Sequence, residues 1–217
     1  ITSEEFLKAA AVGFIAQSTD GALGMAYGIS ATTFLLGTGA SPAVASASVH
    51  IAEIFTTGLS GLAHLRLGNV DRKLMLRLLL PGVIGGVLGA LVVTQLDGSA
   101  LKPWISGYLL LMGLYVLTKA WRHRRTPPRE PRHVAKLALF GGFVDAAGGG
   151  GWGPVVTTSL VGSGQDPRRT IGSVNFAEFF IAIASAGAFV LFIDAAPWAT
   201  VAGLVADALD DAVSAAS

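Results

Sequence analysis

His50 and Glu53 stand three positions apart in an otherwise oily stretch, and so do Asn175 and Glu178. On a helix that spacing puts both members of a pair on one face. Ionisable groups inside an apolar span are costly, so they are expected to face a bundle interior or a wet cavity. An imidazole can gain charge near neutral pH, and an asparagine amide donates hydrogen bonds at any pH. His50 and Asn175 are therefore expected to contact an anion. Glu53 and Glu178 are expected to couple protons, the rival role being a structural hydrogen bond from helix to hairpin. The serines lie without a matched base and acid, so no hydrolytic triad is read.

Two polar interruptions supply further candidates, at Gln17–Gly21 and at Asp145–Gly151. Non-helical backbone at membrane depth is tolerated only where it is buried in protein or lines a cavity. Each interruption is read as two half-helices meeting at a polar tip. The N-terminal end of a half-helix offers unpaired N–H groups and a positive dipole, which suits an anion. Substrate contacts are expected from Gln17, Ser18 and Asp20 at the first tip and from Gly149, Gly150 and Gly151 at the second. The glycine run Gly148–Gly151 is expected to leave amides uncovered for an oxyanion. Asp20 and Asp145 would repel an anion if ionised, so they are expected to cap half-helices. A metal-cation permease would instead use Asp20, His50, Glu53 and Asp145 as ligands, and an intramembrane enzyme would use His50 and Glu53 as base and acid. No cofactor and no resident metal is expected, and the chain is not read as an enzyme.

The elements that position these residues are written twice. GASPAVASASVHIAEIF (Gly39–Phe55) lies over GQDPRRTIGSVNFAEFF (Gly164–Phe180) at one constant offset, matching Pro42 with Pro167, Ser48 with Ser173 and Glu53 with Glu178. GFIAQSTDGALG (Gly13–Gly24) lies over GFVDAAGGGGWG (Gly142–Gly153). Self-similarity at a long period marks two copies of one structural unit. The composition says what kind of unit. Of 217 residues, 52% are hydrophobic and only 13% charged, with a mean hydropathy of +0.62. Apolar segments of about 20 residues read as transmembrane helices. The absence of cysteine excludes disulfides and thiolate metal sites, and a net charge of +1 argues against nucleic acid.

Repeat 1 is placed at residues 1–121, with a re-entrant hairpin over 6–36 and spans over 42–65, 74–96 and 101–121. Gly82, Gly85, Gly86 and Gly89 are expected to form a helix-packing face, and Trp104, Tyr108 and Trp121 to sit in interfacial belts. Residues 122–133 form a basic linker, cytoplasmic by the positive-inside rule; binding of phosphate or lipid is its rival role. Repeat 2, over 134–217, is incomplete: a re-entrant hairpin over 134–162, a span over 167–193 and a partial acidic tail over 197–217. The basic residues at Arg66–Arg77, Arg122–Lys136 and Arg168–Arg169 all fall on the cytoplasmic side if the second hairpin enters and returns. Spans 42–65 and 167–193 then run in opposite directions, which is an inverted repeat. A single crossing through a broken helix is the alternative. The start ITSEEFLKAA has neither Met nor a signal peptide's basic residues, so the chain is expected to begin inside a longer one. The tail is expected to reflect either truncation or a non-natural end.

The run FGGFVDAAGGGGWGP followed by GQDPRRTIGSVNFAEFF resembles the sulfite exporter TauE/SafE family, also called the TSUP permeases. The resemblance extends over about Phe6 to Ile193. It implies movement of small sulfur-containing anions, such as sulfite, sulfonates or sulfoacetate, across the bacterial inner membrane. Family members usually continue through further helices beyond the position of Ile193. The expected protein is an all-α polytopic helical membrane transporter of inverted-repeat design, with lipid and a small sulfur oxyanion as partners. Substrate, direction and oligomeric state stay open.

Overall fold

A computed structural model describes residues 26–121 and 133–193. The first half of the first hairpin, with Gln17, Ser18 and Asp20, therefore lies outside the described residues, as do most of the basic linker and the whole tail 197–217. Every described element is a helix or a helical turn. They are α1 (Tyr27–Gly37), α2 (Pro42–Arg66), α3 (Arg72–Gln95), α4 (Gly98–Trp121), α5 (Val134–Gly148), a π-helical turn (Trp152–Thr157) running into the short α6 (Thr158–Gly162), and α7 (Pro167–Phe192).

The long helices begin where short polar side chains can satisfy first-turn amides. The Val44 amide donates to Ser41 Oγ, those of Lys73 and Leu74 to Asp71 Oδ1, and that of Arg169 to Asp166 Oδ1. The Ser99 amide donates to Asp97 Oδ1 at the start of α4. Pro42 and Pro167 occupy the first helical turn, where a missing N–H costs nothing.

Helices α2 and α7 pack antiparallel. Gly58 faces the Phe179 ring, Gly61 faces Phe176, and His64 faces Gly172, so rising positions on one meet falling positions on the other. Helix α3 runs parallel to both α5 and α7. Gly85 lies on Leu139 and Gly89 on Phe143 and Ala147, while Gly82 and Gly86 take Ile181 and Ser185. The expected glycine face is thus a seam serving two neighbours at once, its missing side chains letting backbones close. The Asp71 amide donates to Ser173 Oγ at 2.8 Å, which sets the start of α7 beside the start of α3.

Among the described residues, three helices are long and apolar enough to cross a bilayer: Arg72–Gln95, Gly98–Thr118 and Pro167–Phe192. Their outer faces expose Leu80, Leu88, Leu110, Leu111 and Leu191, as lipid contact requires. The chain is a multi-pass helical membrane protein. Helix α2 has 25 residues yet falls outside that set, because it buries Ser46, Ser48, His50, Glu53 and Thr57. Of the expected belt residues, Trp104 and Trp121 are exposed, whereas Tyr108 is half-buried and turned inward.

Candidate functional site

Helix α5 stops because Gly149 takes a left-handed conformation, φ 70°, that glycine adopts without a Cβ penalty. The chain then folds back on Asp145. The amides of Gly149 and Gly150 donate to the Asp145 carbonyl, and those of Gly151 and Trp152 donate to its Oδ1 at 2.7 and 2.9 Å. Four successive amides thus converge on one residue. Asp145 caps the second half-helix, and the amides expected to be open in the glycine run are occupied by it.

The carbonyls left over at the end of α5 are satisfied from three other helices. Ser46 of α2 donates to the Ala146 carbonyl at 2.5 Å, Thr32 of α1 to that of Gly149, and Tyr108 of α4 to that of Gly150 at 3.0 Å. Trp152, wholly buried, donates its indole N–H to the Val174 carbonyl of α7. The tip is therefore clamped from every side. Thr32, Ser46 and Tyr108 were not among the expected site residues. Only the Ser46–His50 spacing of one helical turn hinted that Ser46 shares the polar face of α2.

A cavity of about 140 Å³ lies where this tip meets the start of α1. Gly28 and Ile29 border it from α1, Glu53 and Ser60 from α2, Gly150 and Gly151 from the tip, and Asn175 and Glu178 from α7. The Asn175 amide donates to Ser60 Oγ at 2.9 Å across the α2–α7 interface. Asp145 is the third carboxylate in the wall beside Glu53 and Glu178, and among the described lining residues there is no lysine or arginine. The start of α1 brings a helix N-terminus to the wall, whereas the start of the π-helical turn is already capped by Asp145 Oδ1.

Of the expected site residues, Gly150, Gly151, Asn175, Glu53 and Glu178 border this cavity. Gly149 lies behind it, facing Thr32. His50 is also behind it, wholly buried, with Nε2 3.3 Å from Asp145 Oδ2 and Nδ1 2.9 Å from the Ser46 carbonyl. His50, Glu53 and Asp145 bring donor atoms within 4.8 Å of one another. In this trio Asp145 Oδ1 accepts two amides and His50 Nδ1 donates to a carbonyl, which leaves His50 Nε2 and Asp145 Oδ2 facing each other beside Glu53.

Residues 9–209 match the family described as Sulfite exporter TauE/SafE. A relative described as "Probable membrane transporter protein YtnM", from Bacillus subtilis (strain 168), is 45% identical over 188 residues. That match covers 83% of this chain and 62% of the relative, so the chain spans less than two thirds of its relative's length. No solved structure matches the chain.

Proposed function

The chain belongs to the sulfite exporter TauE/SafE family, and from that premise we propose that it moves a small sulfur-containing oxyanion, of sulfite, sulfonate or sulfoacetate type, across the bacterial inner membrane by secondary transport. The observation that carries this reading is the cavity where the start of α1, the Asp145–Gly153 tip and the Asn175 side of α7 converge. Gly28 and Ile29 bring the first turn of α1 to the cavity wall. That turn and the tip supply backbone to the wall, and Asn175 and Ser60 add neutral donors.

The doubled motif falls on α2 and α7, which run antiparallel, and this supports reading the halves as inverted repeats. The starts of α3, α5 and α7 share one side, which supports a re-entrant hairpin over 134–162. Rocking of the two halves about the tips would expose the cavity alternately. Proton coupling belongs to the same reading. Three carboxylates with no lysine or arginine to offset them repel an oxyanion unless positive charge enters with it. Glu53 and Glu178 are the carriers that the sequence offers. The cation reading draws on the same carboxylates and on His50 Nε2, and binding measurements separate the two.

Equilibrium binding to the purified chain tests the choice. Saturable binding of sulfite or methanesulfonate without a response to Mg²⁺ or Mn²⁺ is expected. Saturable divalent-cation binding with no anion response would transfer the site to a cation permease.

A further inference from the structure

We propose that the buried His50–Asp145 pair, rather than a wall glutamate, is the coupling-proton site: one proton held between His50 Nε2 and Asp145 Oδ2 accompanies each bound oxyanion. This rests on the anion-transport reading and specifies its coupling.

The tautomer follows from the neighbours. His50 Nδ1 lies 2.9 Å from the carbonyl oxygen of Ser46, which has no proton to give, so Nδ1 carries one and donates it. Nε2 then faces Asp145 Oδ2 at 3.3 Å, with both side chains buried. Without a proton between them, a nitrogen lone pair and a carboxylate oxygen would confront each other with both side chains buried. With one proton, they form a neutral ion pair. Adding the proton breaks no other bond and leaves both Asp145 Oδ1 contacts in place.

The pair is also wired to the cavity. Asp145 Oδ1 accepts the Gly151 and Trp152 amides, and Gly151 borders the cavity. Charge on Asp145 is thereby felt where an anion would sit. The other groups facing the pair have been considered. Glu53, one turn along α2, offers a carboxylate within 4.8 Å of both partners. Tyr108 of α4 donates to the Gly150 carbonyl, and Glu178 of α7 lies in the cavity wall. From α7 the imidazole also meets the Phe189 ring, centroids 5.7 Å apart, which brings no charge. A protonated pair removes one of the three wall charges, so anion and proton favour each other's binding, and by linkage they do so reciprocally.

The test uses methanesulfonate, whose charge is constant from about pH 5 to about pH 8, the range in which an imidazole changes charge. Calorimetry on the purified chain in buffers of different ionisation enthalpy counts protons taken up per anion. The wild type is expected to take up about one, with affinity rising about tenfold per pH unit of acidification while that proton is being acquired. His50→Gln and Asp145→Asn should each bring the uptake close to zero. Wild-type uptake near zero, or uptake preserved in both pair variants, overturns the proposal while leaving anion binding intact. No binding of methanesulfonate or sulfite by the wild type at any pH would instead remove the transport reading beneath it. If the variants do not fold, ¹⁵N-histidine spectra of the anion-bound wild type decide. An imidazolium with both nitrogens protonated supports the pair, and a His50 with a bare Nε2 overturns it.

Discussion

Gly28 and Gly150 meet backbone to backbone: a Cβ added to Gly28 would lie 2.8 Å from the Gly150 Cα, and one added to Gly150 would strike the Gly28 and Ile29 backbone. The start of the first half-helix and the second tip are thus a single contact with no side chain between them. The cavity opens beside it. Gly150→Val is expected to abolish oxyanion binding while the protein still inserts and folds, because the tip must back away from α1. Gly28→Ala, meeting the same backbone, is expected to cost about 1–3 kcal/mol of stability, read as a lower melting temperature. Unchanged anion affinity in Gly150→Val would show that the contact does not shape the site.

The parallel course of α3 and α7 gives a topological prediction. The chain contains no cysteine, so single introduced cysteines report without background. Cysteines replacing Arg72 and Arg168 should be labelled from the cytoplasmic face alone, and one replacing Gly98 from the opposite face alone. Labelling of the first two from opposite faces would refute the re-entrant reading of 134–162.

Asn175 lies between its hydrogen bond to Ser60 and the cavity. Loss of one donor to a charged ligand costs about 1.5–3 kcal/mol. Asn175→Ala should therefore weaken sulfite binding by about one to two decades, and Ser60→Ala by less. If Asn175 serves only to hold α2 against α7, the alanine variant will melt earlier yet bind the anion normally in titrations of the folded fraction.

Much of this was legible in the residue order, for reasons that can be named. The long spans were readable because apolar runs of that length have few other uses, and the glycine seam of α3 because small residues at helical spacing have little other use in lipid. The Asp145 break was readable since polar residues interrupt an apolar run. What the tip does with its amides was not. A capping role for Asp145 was expected from its place at the break, but not that the amides it takes are the ones the glycine run leaves bare. Nor could spacing show that His50 faces Asp145 instead of a ligand, since both choices lie on the same face of α2. Tyr108 reads as a belt aromatic from composition alone, and only the crossing of α4 over the tip gives its hydroxyl a carbonyl to meet.

The polar stripe of α2 also bears on how the protein enters the membrane. Groups such as His50 and Glu53 at mid-helix oppose partitioning of a lone segment into lipid. By contrast α3, with a mean hydropathy of 2.1 in its best window, inserts on its own account. During synthesis α2 leaves the ribosome first, so it must wait at the translocon until α3 follows and the two can leave as a hairpin. Glycosylation mapping of α2 alone should find it mostly translocated into the lumen, and of α2 joined to α3 mostly integrated; efficient integration of α2 by itself would refute this order. The polar residues that line the cavity from α2 thereby make that wall a latecomer to the bilayer.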